Sequence, residues 1–149
     1  MRIHLRRSYH RPGGNHALEY RTESSTKFAP AFLELAQRIW PRNYDAARSG
    51  DALAKTINIA AWDGTRLAGC VRVLTDGYFF STVPELMVDP EYRRQGIGRE
   101  LLRHALEAAP GGTLFLGAQP GHEAFFERAG FRRGPTGYVG RLDPSKGMF

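Results

Sequence analysis

Gly96 and Gly98 stand between Arg93-Arg94-Gln95 and Arg99, where an apolar run ends and a leucine-rich stretch begins. Residues of these types in this order can hold a phosphate. The first amides of a helix have no acceptor within it and lie at the positive end of its dipole, and glycine lets an anion approach them closely. Arg93, Arg94, Arg99 and Arg103 crowd the same helix start. A cation there opposes the dipole by roughly 0.3–1 kcal/mol, so four of them make sense where a polyanion fills the turn. A solvated basic surface is the plain alternative. Other phosphate loops match less well. A P-loop has Lys and then Ser or Thr after its second glycine, where this chain has Arg99 and Glu100, and a dinucleotide fingerprint has a third glycine or alanine where Leu101 stands. A carboxylate, Glu85, interrupts the apolar run Val83-Pro84-Glu85-Leu86-Met87-Val88, and such a group needs a partner or a chemical task.

The elements that must position these residues follow from periodicity and turn chemistry. Gly98 to Ala109 carries Leu101, Leu102, Ala105, Leu106 and Ala109 on one helical face, and Pro110-Gly111-Gly112 ends it. Thr113 to Gly117 is then expected as a short buried strand, completing a β-α-β crossover with the strand Tyr78 to Val88. Pro84 lacks an amide hydrogen and predicts a local break in that strand. Upstream, Asp63-Gly64 predicts a hairpin between Thr56–Trp62 and Arg66–Thr75, and Asp76-Gly77 a second turn into Tyr78. Ala17 to Thr22 is expected as a first strand. Pro30 to Ile39 is expected as a helix stopped by Pro41, and Asp45 to Lys55 as a second helix capped by Asp45.

The arrangement Arg93-x-x-Gly96-x-Gly98, led in by Val88-x-Pro90-x-Tyr92 and followed by the leucine-rich helix, closely resembles the acyl-CoA loop of the GNAT acetyltransferase superfamily. Ala124-Phe125-Phe126-Glu127-Arg128-Ala129-Gly130-Phe131 is similar to the late motif of that superfamily, an aromatic-rich helix before Gly-Phe. The resemblance covers Thr75 to Leu142. It implies a mixed α/β fold, a mostly antiparallel central sheet with a parallel β-α-β core flanked by helices. It also implies direct acetyl transfer from acetyl-CoA, as cosubstrate, to a primary amine, with a small molecule as the favoured acceptor and no metal.

On this resemblance, backbone groups of Leu86, Met87 and Val88 would pair with the pantetheine amides, and amides of Arg94, Gln95, Gly96, Ile97, Gly98 and Arg99 would receive the pyrophosphate. Arg93 or Arg94 would add direct charge. Gln119 would contact the pantetheine arm. Glu85 is the leading general base, and a backbone amide near Leu86 or Met87 would polarise the thioester carbonyl. The family's usual thiolate acid is a tyrosine where this chain has Phe126, which stays among the cofactor positions but cannot donate a proton. Tyr138 in an expected late strand, His122 or water would then protonate the thiolate, or catalysis is weak. Phe126 therefore keeps a CoA-binding sensor or regulatory module open as an alternative. Trp40, Tyr44, Tyr78, Phe79 and Phe80 are candidates for the acceptor pocket, and equally for core. Asp45, Asp51 and Asp76 are candidates for attracting a cationic amine.

Composition bounds the rest. A chain of 149 residues with 42% hydrophobic content can bury one core, so residues 17–149 are expected to form a single domain. Its formal charge is +6, yet Arg2, Arg6, Arg7 and Arg11 fall in residues 1–16 without an acid, leaving +2 for the remainder. That segment, closed by Pro12-Gly13-Gly14, is expected to be a flexible basic extension, and it supplies a second alternative, a nucleic-acid-associated protein. Cys70 alone allows no internal disulfide, and His4, His10, His16, His104 and His122 show no paired metal spacing. With no long apolar span, a cytoplasmic protein without a membrane partner is expected. A homodimer is compatible with such a domain.

Overall fold

The computed structural model describes residues 17–140. The basic segment 1–16 and residues 141–149 lie outside the described residues. After Leu116 the chain divides into two units, each described by itself.

In the first unit four strands, β1 (Glu19–Glu23), β2 (Ile57–Asp63), β3 (Arg66–Thr75) and β4 (Ser81–Val88), form an antiparallel sheet in sequence order. β2 and β3 are buried in consecutive runs, Ile59 to Ala61 and Leu67 to Val71. Such runs belong to strands covered on both faces. One face carries Cys70 and Met87 beneath α1 (Ser25–Ile39) and α2 (Ala46–Ala54), where Phe28, Phe32, Leu35 and Leu53 complete the cluster. Burying each of these large side chains contributes about 1.5–3 kcal/mol. The other face meets α3 (Ile97–Ala108), whose Ile97 and Leu101 press on Gly69. No described helix is long and apolar enough to cross a membrane.

Several elements differ from expectation. α1 starts at Ser25 rather than Pro30, because Phe28 and Phe32, one turn apart with ring centroids 5.6 Å from each other, anchor the extra turn despite a proline inside the helix. The β2–β3 turn is Gly64-Thr65, one residue later than Asp63-Gly64, with Gly64 in the left-handed region at φ 59°. Asp76-Gly77 does not make a tight hairpin. The Asp76 carboxylate instead accepts from the amides of Tyr78, Phe79 and Phe80, and β4 begins only at Ser81. α2 has the expected cap, Asp45 accepting from the Arg48 amide at 3.0 Å.

Thr113 to Gly117 is not a buried strand. Its pairing is a single parallel bridge, with the Val83 amide donating to the Phe115 carbonyl and the Phe115 amide to the Ser81 carbonyl, both at 2.9 Å. The crossover is present and its second strand is one rung long. The reason lies at the expected break. Leu74 pairs with Thr82 but Arg72 with Glu85, so β4 carries an extra residue at Val83-Pro84. The outward amide after Val83 is displaced, and Pro84 has none to offer.

Candidate functional site

The bulge sets which way β4 presents its backbone. The Asp89 amide donates to the Ala68 carbonyl at 2.9 Å. By the two-residue alternation of an antiparallel ladder, Met87 and Glu85 also face β3, while Leu86 and Val88 direct their backbone groups away from the sheet. The Met87 carbonyl accordingly lies 2.8 Å from where a Cβ on Gly69 would stand. The edge available to an extended ligand is therefore Leu86 and Val88, with the Met87 backbone facing the neighbouring strand. The Arg93 side chain folds back on that edge, its Nε donating to the Val88 carbonyl at 3.3 Å.

Beyond β4 a short 3₁₀ turn, Pro90–Tyr92, leads to Arg94 at φ 60° and Gly96 at φ 79°. A left-handed arginine costs on the order of 1–3 kcal/mol and persists where its surroundings enforce it. Gly96 caps α3, and the Glu100 amide makes the first helical bond back to its carbonyl at 3.0 Å. The amides of Ile97, Gly98 and Arg99 have no acceptor among the described residues. Ile97 and Gly98 are buried, so they have only backbone to offer, whereas Arg94, Gln95 and Arg99 are exposed around the turn. Arg103 is not among these exposed cations: it pairs with Glu100 and Glu107 along the surface of α3. The turn is thus a set of unpaired donors, with exposed cations beside it, at the end of an open strand edge.

Glu85 lies on the α1–α2 face of the sheet, directly across from Arg72, whose Nη1 donates to its Oε2 at 2.6 Å. Arg72 in turn reaches the Thr56 hydroxyl at 3.3 Å and lies over the Phe32 ring. Oε1 of Glu85 has no partner among the described residues. The carboxylate therefore has its structural partner on one oxygen and a free proton acceptor on the other. The pairing of Arg72 with Glu85 was not legible in the sequence, since it depends on the cross-strand register. Of the acceptor candidates, Tyr44 is packed against the core cluster with its hydroxyl donating to the Trp40 carbonyl at 2.8 Å. Trp40, Tyr78, Phe79 and Phe80 are exposed.

In the second unit the late motif folds as α4 (Glu123–Arg128), with His122 at its N-terminal cap. Gly130 takes φ 93°, and the amides of Gly130 and Phe131 bond to the carbonyls of Glu127 and Phe126, closing a Schellman cap. Phe126 packs between Phe125 and Phe131, at centroid distances of 5.0 and 6.3 Å. The Gln119 carbonyl accepts from the His122 amide at 3.0 Å and fixes the turn before the helix. Tyr138 lies in irregular backbone rather than a strand and is 93% exposed.

The profile of the acetyltransferase (GNAT) domain matches residues 55–133, more than half of the chain. The chain belongs to the GNAT acetyltransferase family. Among curated relatives of this GNAT protein, N-alpha-acetyltransferase RimI of Mycobacterium tuberculosis is 34% identical over 102 residues, which is 62% of this chain and 58% of the relative. The chain spans 30% to 58% of the lengths of the first curated relatives it matches. A GNAT family acetyltransferase from Streptococcus pneumoniae TIGR4 superposes with a TM-score of 0.66 at 23% identity, covering 84% of this chain and 99% of that one. The structure of AAC(6')-Iy in complex with the bisubstrate analog CoA-S-monomethyl-acetylneamine gives 0.69 at 13% identity, covering 86% and 99%. These likenesses establish the GNAT fold of this chain.

Proposed function

We propose that this GNAT domain transfers an acetyl group from acetyl-CoA directly to a primary amine, with a small molecule as the first acceptor to consider. The observation that carries the reading is the sequence of donors along one path. An outward-facing strand edge at Leu86 and Val88 runs through the turn into the unpaired amides of Ile97, Gly98 and Arg99. An extended pantetheine arm would add to the first as a strand, and a pyrophosphate would fill the second. Arg94 and Arg99 would supply charge. Arg93 would have to release the Val88 carbonyl for a pantetheine amide to take it.

In the proposed chemistry the amine lone pair attacks the thioester carbonyl and the carbon–sulfur bond breaks. Oε1 of Glu85 accepts a proton from the nitrogen, while Arg72 holds the other oxygen in place. The thiolate takes a proton from water. Phe126 contributes packing in the aromatic helix and no proton. The acceptor arms follow from the relatives' names: one is an N-alpha-acetyltransferase, and another was captured with a CoA-linked acetylneamine.

The test is acetyl-CoA-dependent release of free CoA thiol by the full chain, with aminosugars, simple alkyl amines and peptides bearing free α-amines as acceptors. Turnover with one class supports the reading and identifies the acceptor. Acetyl-CoA binding without turnover on any class favours the sensor alternative.

A further inference from the structure

The turn that feeds the glycine loop is fastened by a charged cluster that none of the contacts above employs. Asp89, between β4 and the 3₁₀ turn, is 1% exposed. Its Oδ2 lies 3.0 Å from Arg66 Nη2 and 3.2 Å from Arg38 Nη2, and its Oδ1 accepts from the Glu91 amide at 3.0 Å. At the other end of the turn the Tyr92 hydroxyl donates to Asp63 Oδ2 at 2.6 Å, and the Arg66 guanidinium lies over the Tyr92 ring at 5.1 Å. Arg38 comes from α1, and Asp63 and Arg66 flank the β2–β3 turn. Both ends of the turn are thus tied to elements on its far side.

A buried carboxylate must be paired, but a buried ion pair is weak evidence for stability, since well-packed apolar residues often serve as well. What apolar side chains cannot supply is direction. Two guanidinium groups and one backbone amide converge on a single carboxylate and fix the angle at which the chain leaves β4. Five residues after Asp89 the backbone enters the left-handed region at Arg94, and again at Gly96. Those conformations need enforcement from the flanks.

We propose that Asp89, drawing Arg38 and Arg66 onto one carboxylate, is the positioning residue of the cofactor loop, holding the turn so that the amides of Ile97, Gly98 and Arg99 point at the pyrophosphate. The inference rests on the acetyl-CoA reading above.

The test compares acetyl-CoA Kd by calorimetry, and KM against kcat for the best acceptor, in the full chain and its variants. Asp89→Asn keeps an oxygen for the Glu91 amide and removes the charge. It is expected to raise Kd and KM for acetyl-CoA about tenfold, a change of about 1.4 kcal/mol, with kcat at saturating acetyl-CoA within about twofold. Arg38→Met, on a half-exposed side chain far along α1, is expected to raise Kd about threefold and Arg38→Lys to restore it. The Arg38 pair decides the matter if Asp89→Asn does not fold. Folded variants that bind acetyl-CoA as wild type does, or that lose kcat with KM unchanged, overturn the clamp alone. A wild type that does not bind acetyl-CoA overturns the cofactor reading, and the clamp's purpose with it.

Discussion

Replacing Gly69 by alanine tests how closely α3 sits on the sheet, and therefore where the glycine turn is placed. A Cβ at this position would lie 2.8 Å from the Met87 carbonyl oxygen, 3.2 Å from Leu101 Cδ1 and 3.3 Å from Ile97 Cγ2. The first distance is to backbone and cannot be relieved by a rotamer change. Either β4 must separate from β3 or the pair must twist, while α3 lifts by a few tenths of an ångström. Overpacking of this kind costs about 1–3 kcal/mol. For a chain of this size each kcal/mol corresponds to roughly 2–4 °C, so the Tm should fall by about 2–12 °C. The assay is thermal unfolding of the full chain beside urea denaturation, with acetyl-CoA Kd measured on the folded variant. Because the displaced atoms belong to β4 and to the first turns of α3, acetyl-CoA affinity should weaken as well. A Tm within 1 °C of wild type would refute the packing, on the scale of the loss just estimated.

Glu85→Gln should lower kcat by about 10²–10⁴-fold with acetyl-CoA Kd little changed, the range for loss of a general base, and steady-state kinetics beside calorimetry would check it. Unaltered kcat would remove Glu85 from the mechanism. His104 stacks on Tyr20 at 5.2 Å, and burial, followed by the charge of Arg103, holds its pKa below the usual 6.5 against the opposing pull of Glu100 and Glu107. The unfolded chain then binds the proton more readily. The stability from keeping His104 neutral is full above pH 6.5 and is lost as the pH falls from there toward the folded pKa. Urea midpoints between pH 7.5 and 5.5 should fall less in His104→Phe than in wild type, and equal slopes would contradict the assignment.

Much of the framework was legible because local chemistry and global fold agree. Gly64 marks the β2–β3 turn, Asp45 caps α2, Gly130 closes α4, and the leucine and alanine spacing of α3 matches its buried face. The glycine turn could be read for the same reason, since its donors are backbone atoms placed by residue type. What could not be read depends on pairing at a distance. The extra residue at Val83-Pro84 decides that Leu86 and Val88, and not Met87, face outward, and no local pattern shows it. Arg72 and Asp89 acquire meaning only through partners on other elements. Arg94 has a left-handed φ that its residue type disfavours, and Thr113 to Gly117 lost its expected ladder to a proline on the neighbouring strand. Arg103 lay close to the turn in sequence, but one helical turn carried it to Glu100 and Glu107.

On the proposed reading the amides opening α3 hold the pyrophosphate of acetyl-CoA. Calorimetric titration of the full chain with acetyl-CoA, beside Gly96→Val, tests it most directly. A Cβ at Gly96 meets nothing within 4 Å, so the substitution acts through its φ of 79° and not through a clash in the core. Forcing a side chain into that region costs about 1–2 kcal/mol, more for a β-branched residue, and displaces the donors. Wild type should bind saturably, with AMP and pyrophosphate at the same ionic strength binding far more weakly, and a folded Gly96→Val protein should lose at least about tenfold in affinity. Equal affinity in the two proteins, or no binding by wild type, would contradict it.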